Sequence, residues 1–199
     1  MSPRHWILPL STIALLTQWS SAATLSNVVV TREGDRYHLV AQARLEAPAA
    51  AIYAVLVDYE DDHFGQISKI YKESAYLGAD GDGTPLVYTR VEGCLLFYCR
   101  SMRRVERLEA VEPSFIRTTA LPDRSDFKYA QSEWALTQDG AATAITYRLT
   151  IEPDFWLPPF VGPWFLQRTL SRGGIDAVER IEELAQSNGA GAPLAVLNQ

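Results

Sequence analysis

The chain is poor in the residues that most enzyme chemistry requires. Its 199 residues hold two cysteines, two methionines and three histidines. His38 and His63 stand far apart and neither neighbours a cysteine, so no zinc-ligand spacing is present. There is no Gly-x-Ser-x-Gly elbow and no phosphate-binding glycine loop. Basic residues never cluster: 18 Lys and Arg face 24 Asp and Glu, a formal charge of −6. That balance argues against nucleic acid and against electrostatic docking on anionic lipid. Asp80-Gly-Asp82-Gly83 has part of a calcium loop, but Val91 stands where the bidentate glutamate belongs, and a hairpin turn is the better reading. The acidic stretch Asp58–His63 reads as a solvated loop at a helix end. No internal repeat, interdomain linker or low-complexity tract appears.

What is present begins with a targeting pattern. Arg4 and His5 precede the apolar run Trp6–Leu16, too short for a membrane span, and Ser21-Ala22-Ala23 offers small residues to a signal peptidase. Residues 1–23 are therefore expected to be a signal peptide, with export to an oxidising compartment, the periplasm. Without Arg4 the mature chain carries 17 basic against 24 acidic residues, a formal charge of −7. Residues 24–188 fit one domain with a real core, and 189–199 a flexible tail.

The body reads mostly as strands separated by turn chemistry. Asn27–Thr31 and Arg36–Leu45 flank the turn Arg32-Glu33-Gly34-Asp35, and Pro48 opens a short helix, Ala49–Val57. Strands are expected at Ile67–Leu77, Leu86–Cys94, Tyr98–Leu108, Phe115–Leu121, Tyr129–Thr137 and Thr143–Ile151. Alternation is clearest in the last two. Trp134 and Leu136 share a face, and Thr143, Ile145, Tyr147, Leu149 and Ile151 oppose Thr146, Arg148 and Glu152. One face is buried and the other wet, as in an antiparallel sheet covered on one side. A long helix follows, starting at Gly162-Pro163 and stopping at Asn188-Gly189. Leu166, Leu170, Gly174, Ala177, Ile181 and Leu184 form its narrow apolar stripe. The order predicts an α+β helix-grip fold, a curved antiparallel sheet wrapped around the long C-terminal helix.

Before that helix lies Phe155–Leu166, uncharged, with five aromatic rings and three prolines. Trp164 and Phe165 fall well off the apolar stripe. Either the loop folds back and buries its rings, or it forms the lip of a cavity between helix and sheet. Gly173-Gly174 in mid-helix has the same two readings: close packing on the sheet, or room for a ligand beside the backbone.

The succession Ala47-Pro48-Ala49-Ala50-Ala51-Ile52-Tyr53 through Asp58-Tyr59, Ser125-Asp126-Phe127, Glu133-Trp134-Ala135-Leu136, Thr143-Ala144-Ile145-Thr146-Tyr147 and Pro153-Asp154-Phe155-Trp156-Leu157-Pro158-Pro159 resembles START-like helix-grip (SRPBCC) proteins. The branch it is most similar to includes coenzyme Q-binding and polyketide cyclase-like proteins, in an exported bacterial form, over residues 36–186. The resemblance implies a hydrophobic ligand cavity under the C-terminal helix, gated by the preceding loop, and names neither a ligand nor a reaction. On that basis Trp134, Tyr147, Leu149, Leu170 and Gly174 are the expected cavity wall. Phe155, Trp156, Phe160 and Trp164 are the expected gate. The Tyr147 hydroxyl is the candidate for fixing a ligand's polar end. No catalytic set, cofactor or metal ligand is expected. Arg90, Arg100, Arg104 and Arg117 lie on strands, facing either the cavity or solvent.

Cys94 and Cys99 close a short loop between two strands, which in an exported chain predicts a disulfide; two buried free thiols are the alternative. The tip Leu95-Leu96-Phe97-Tyr98 either completes the core or, with the gate loop, makes a transient hydrophobic contact with a membrane or a protein. Three functional classes follow. The chain is a binder or carrier of a lipophilic small molecule, a cyclase-like enzyme using the same cavity, or an interaction module docking through the 155–166 loop.

Overall fold

The computed structural model describes residues 23–95, 98–155 and 162–190. Eight strands form a single antiparallel sheet in the order β1-β2-β8-β7-β6-β5-β4-β3. They are β1 (Thr24–Glu33), β2 (Arg36–Leu45), β3 (Tyr71–Ala79), β4 (Pro85–Leu95), β5 (Tyr98–Val111), β6 (Phe115–Ala120), β7 (Phe127–Asp139) and β8 (Ala142–Pro153). Helix α1 (Ala49–Val57) and a 3₁₀ segment (Glu60–Ile67) carry the chain from β2 to the far edge at β3. Helix α2 (Gly162–Ala190) packs on β1, β2, α1 and the 3₁₀ segment. The α+β helix-grip architecture expected from the sequence is the one observed.

The β8 alternation does what its period dictates. Trp134 stands opposite Tyr147 and Leu136 opposite Ile145 across the β7–β8 ladder, all on the concave face. The core joins that face to both helices, with Leu45, Ile52, Leu56, Ile116 and Ile181 fully buried. The C-terminal half of α2 is held by hydrogen bonds as well as packing. The Glu46 N–H donates to Glu182 Oε2 at 2.5 Å, and Gln186 Nε2 donates to the Glu46 carbonyl at 3.0 Å. The Thr143 hydroxyl donates to the Ala47 carbonyl at 2.7 Å, fixing the same corner from the sheet side.

Three expectations need correction. The strand placed at Ile67–Leu77 begins only at Tyr71, because Glu60–Ile67 forms 3₁₀ turns with Asp61 and Asp62 in the left-handed region at φ 43° and 62°. Asp62 Oδ1 accepts the Ser74 N–H at 2.7 Å, so the acidic stretch is partly a bracket for β3 and not only a solvated loop. Helix α2 also runs to Ala190, past the Asn188-Gly189 stop. The Asp80–Gly83 segment is the expected hairpin turn, with Asp80 and Asp82 both paired to Arg107.

The edge strands are irregular. β1 carries a bulge between Ser26 and Val29, with Asn27 at φ 50°. β3 shifts register twice, between Tyr71 and Glu73 and between Tyr76 and Ala79. Residues 1–22, nearly all of the segment expected to be a signal peptide, and residues 191–199 of the expected tail lie outside the described residues.

Candidate functional site

Between α2 and the concave face of the sheet lies a cavity of about 160 Å³. Its wall is almost wholly hydrocarbon. β1 and β2 supply Leu25, Leu39 and Ala41, the sheet centre supplies Trp134, Ile145 and Tyr147, and α2 supplies Gly173, Gly174 and Ala177. Ile67, Ile70 and Tyr71 close it from the chain between the 3₁₀ segment and β3. Trp134 and Tyr147 lie ring against ring, centroids 4.2 Å apart and tilted by 36°. Such a pair gives a stiff aromatic wall that an apolar ligand can pack on.

Of the wall residues expected from the sequence, Trp134, Tyr147 and Gly174 line the cavity together. Leu149 is half-buried, opposite Leu39 on β2, and is not among the described lining residues. Leu170 and Trp164 fall within α2, with side chains outside the description, and Trp156 and Phe160 lie outside the described residues. Phe155 is half-buried under the Arg100 guanidinium, 4.0 Å from its ring centroid.

The two glycines of the pair differ in what surrounds them. A Cβ on Gly174 would stand 2.8 Å from Leu25 Cδ2, so this glycine permits the close approach of α2 to β1. A Cβ on Gly173 would meet nothing within 4 Å, so this one leaves room.

The four arginines left open by the sequence divide cleanly. Arg90 pairs with Glu73 and Arg117 with Glu133, both near solvent, while Arg100 covers Phe155. Arg104 turns inward and is 8% exposed, beside Glu106 at 1%. The guanidinium reaches Glu106 Oε2 at 3.4 Å and donates through Nε to Thr89 Oγ1 at 3.3 Å. On the other side the Thr118 hydroxyl donates to Glu106 Oε1 at 3.0 Å. Having spent its one proton there, Thr118 must accept from the Ser132 hydroxyl 2.8 Å away. The result is a buried polar row across β4, β5, β6 and β7 with each charge answered. Desolvation is the largest influence on the Arg104 charge and works against it; Glu106, with smaller help from the Tyr71, Tyr147 and Tyr59 phenols, offsets it and holds the guanidinium charged.

Glu106 and Tyr71 were missed from the sequence. Glu106 sits two residues from Arg104 on β5, the one signal available, but charged residues on a strand read as its wet face. Neither Arg104 nor Glu106 is among the described lining residues, whereas Tyr71 and Tyr147 are. Burial pushes both phenols up, so both stay protonated through the neutral range. No cluster of metal-binding side chains occurs among the described residues.

Family models and curated protein sequences give no match to this chain. Solved structures do match. A STAR-related lipid transfer protein from Xanthomonas axonopodis superposes with a TM-score of 0.60 at 18% identity, covering 83% of this chain and 99% of that one. A START superfamily protein from Mycobacterium smegmatis gives 0.59 at 19%, covering 74% and 98%. The Zhui aromatase/cyclase from Streptomyces sp. R1128 gives 0.59 at 16%, covering 79% and 99%. These likenesses define the fold as that of START-like helix-grip proteins, as the resemblance implied.

Proposed function

We propose that this protein binds a hydrophobic small molecule between its sheet and α2, and acts as a carrier or binding protein in the periplasm. The observation behind this reading is the apolar cavity built against the tilted Trp134–Tyr147 ring pair. Among the described lining residues the ionisable groups are Tyr71 and Tyr147, both held as phenols by burial, which favours binding over acid–base catalysis. An apolar cavity of roughly 150 Å³ holds benzene, so a volume of about 160 Å³ suits a compact ring system over a full phospholipid.

The neutral dye N-phenyl-1-naphthylamine tests this. It should bind purified mature protein saturably at one site, quenching tryptophan fluorescence. Trp134→Ala should weaken that binding at least tenfold. Its cost in stability should stay below the 3–5 kcal/mol typical of a solidly packed tryptophan, because one side of the ring already faces open space. No saturable binding, or a full core penalty with unchanged dye affinity, overturns the reading.

Export carries its own test. Cys94 and Cys99 stand opposite each other in the β4–β5 ladder, where facing Cα atoms are about 4.5–5.5 Å apart and a disulfide can form. The bridge should add roughly 2 kcal/mol at most across so short a loop, stiffening the tip more than holding the fold. Thiol titration of unfolded, unreduced protein isolated from the periplasm should find no free thiol. Two free thiols would contradict the oxidised, exported form.

A further inference from the structure

Helix α1 carries no charged side chain. Its residues are alanine, isoleucine, tyrosine, valine and leucine, a composition that ordinarily belongs to a helix buried on every side. One side is buried: Ala49, Ile52, Val55 and Leu56 join the core. The other is not. Ala50 and Ala54 are exposed, and Tyr53 and Val57 are half-buried. At about 100° per residue these four fall on one stripe, where a surface helix would carry charge. The Tyr76 hydroxyl donates to the Val57 carbonyl, which sets the Tyr76 ring, 38% exposed, at the end of the stripe, with Leu77 next to it at 44%. Among the described residues this apolar strip stays open.

The chain itself supplies an occupant. Helix α2 ends beside the start of α1, because Glu182 and Gln186 both bond the backbone of Glu46, just before α1. Ala190 lies one turn, about 6 Å, past Gln186. After it come Gly191-Ala192-Pro193-Leu194-Ala195-Val196-Leu197-Asn198-Gln199, without an ionisable side chain. Pro193 bars the helix from running on, and the large apolar residues Leu194, Val196 and Leu197 follow it. Extended, this stretch reaches about 30 Å, whereas α1 is about 14 Å long. It can therefore turn back and lie along the whole outer face. Tethering favours it over a second molecule: a short flexible link gives an effective concentration on the order of millimolar, far above that of a protein in dilute solution.

We propose that Leu194–Leu197 docks on the stripe formed by Ala50, Tyr53, Ala54 and Val57, strapping the end of α2 across α1. The uncharged helix and the apolar run after Pro193 then answer each other, in place of the flexible tail expected from the sequence. The assignment goes beyond the small-molecule reading and does not depend on what the cavity binds.

Nuclear magnetic resonance of the isotopically labelled mature protein tests this, at two concentrations tenfold apart. Backbone order parameters over residues 194–197 should be about 0.85, the value of rigid structure, at both. The methyl groups of Leu194, Val196 and Leu197 should show nuclear Overhauser contacts to the Tyr53 ring within one molecule. Ala50→Glu combined with Ala54→Glu, at two exposed positions where glutamate suits a helix, should leave the shifts of the sheet unchanged. The same pair of substitutions should lower the order parameters of 194–197 below about 0.6. Values below about 0.6 in the parent protein overturn the strap. Order that persists in the double variant overturns it too, since the segment then docks elsewhere. Contacts seen only between labelled and unlabelled molecules overturn it as well, and make the α1 face an interface between copies.

Discussion

Glu106→Ala should destabilise the folded protein by about 3–5 kcal/mol, the cost of leaving one member of a buried ion pair without its partner. For a domain of this size that lowers the melting temperature by on the order of 10 °C. Arg104 cannot escape by losing its proton, since a guanidinium stays charged at any accessible pH. One hydroxyl would also lose its acceptor, because Thr118 donates to Glu106, while its bond with Ser132 survives. Replacing both charges at once, with Arg104→Met and Glu106→Leu, should restore most of the loss, since the pair's attraction roughly balances its desolvation. Chemical denaturation of the single and double variants checks this. A single variant costing less than about 1 kcal/mol would mean that water reaches the pair, against its near-complete burial.

Gly173→Leu should abolish dye binding and make the protein more stable. The gain comes from helix propensity, since a mid-helix glycine costs about 1 kcal/mol against alanine or leucine. The loss of binding comes from space: a Cβ at this position meets nothing within 4 Å, and the added side chain enters a cavity of about 160 Å³. Gly174→Leu should behave differently. Its Cβ would press on Leu25 at 2.8 Å, moving β1 away from α2 at a cost of about 1–3 kcal/mol. Thermal melts and dye titrations of the two variants side by side give opposite stability shifts if the cavity lies where it is described. A Gly173→Leu protein that binds the dye as the parent does would place the ligand elsewhere.

That contrast also shows how far the sequence could be read. The glycine pair was visible as an anomaly, but which member touches β1 depends on the rotation of α2, and one residue turns a helix by about 100°. The sheet was legible where polar and apolar residues alternate, so the Trp134–Tyr147 wall followed directly from β7 and β8. It was illegible on β5, where Arg104 and Glu106 sit on the concave face and imitate a solvent face. β3 was misplaced for a related reason. Ile67 and Ile70 look like strand residues by type, yet Ile67 ends a 3₁₀ turn that no hydrophobic period announces. Tyr71 became a site residue only once that boundary was known. Helix α1, by contrast, was bounded correctly from Pro48 and the alanine-rich run behind it, because local propensity and burial agree there.

An open sheet has two exposed margins, and here neither is straight. The bulge at Asn27 interrupts the pairing of β1 with β2, and two register shifts interrupt that of β3 with β4, so both margin strands are kinked. Strands of a second molecule can extend a sheet only along an uninterrupted row of unpaired N–H and C=O groups. The kinks shorten the regular row to Val29–Glu33 on β1 and Glu73–Tyr76 on β3. The chain can therefore keep an apolar interior space, which weakens any core, while offering only a short template for edge-to-edge polymerisation.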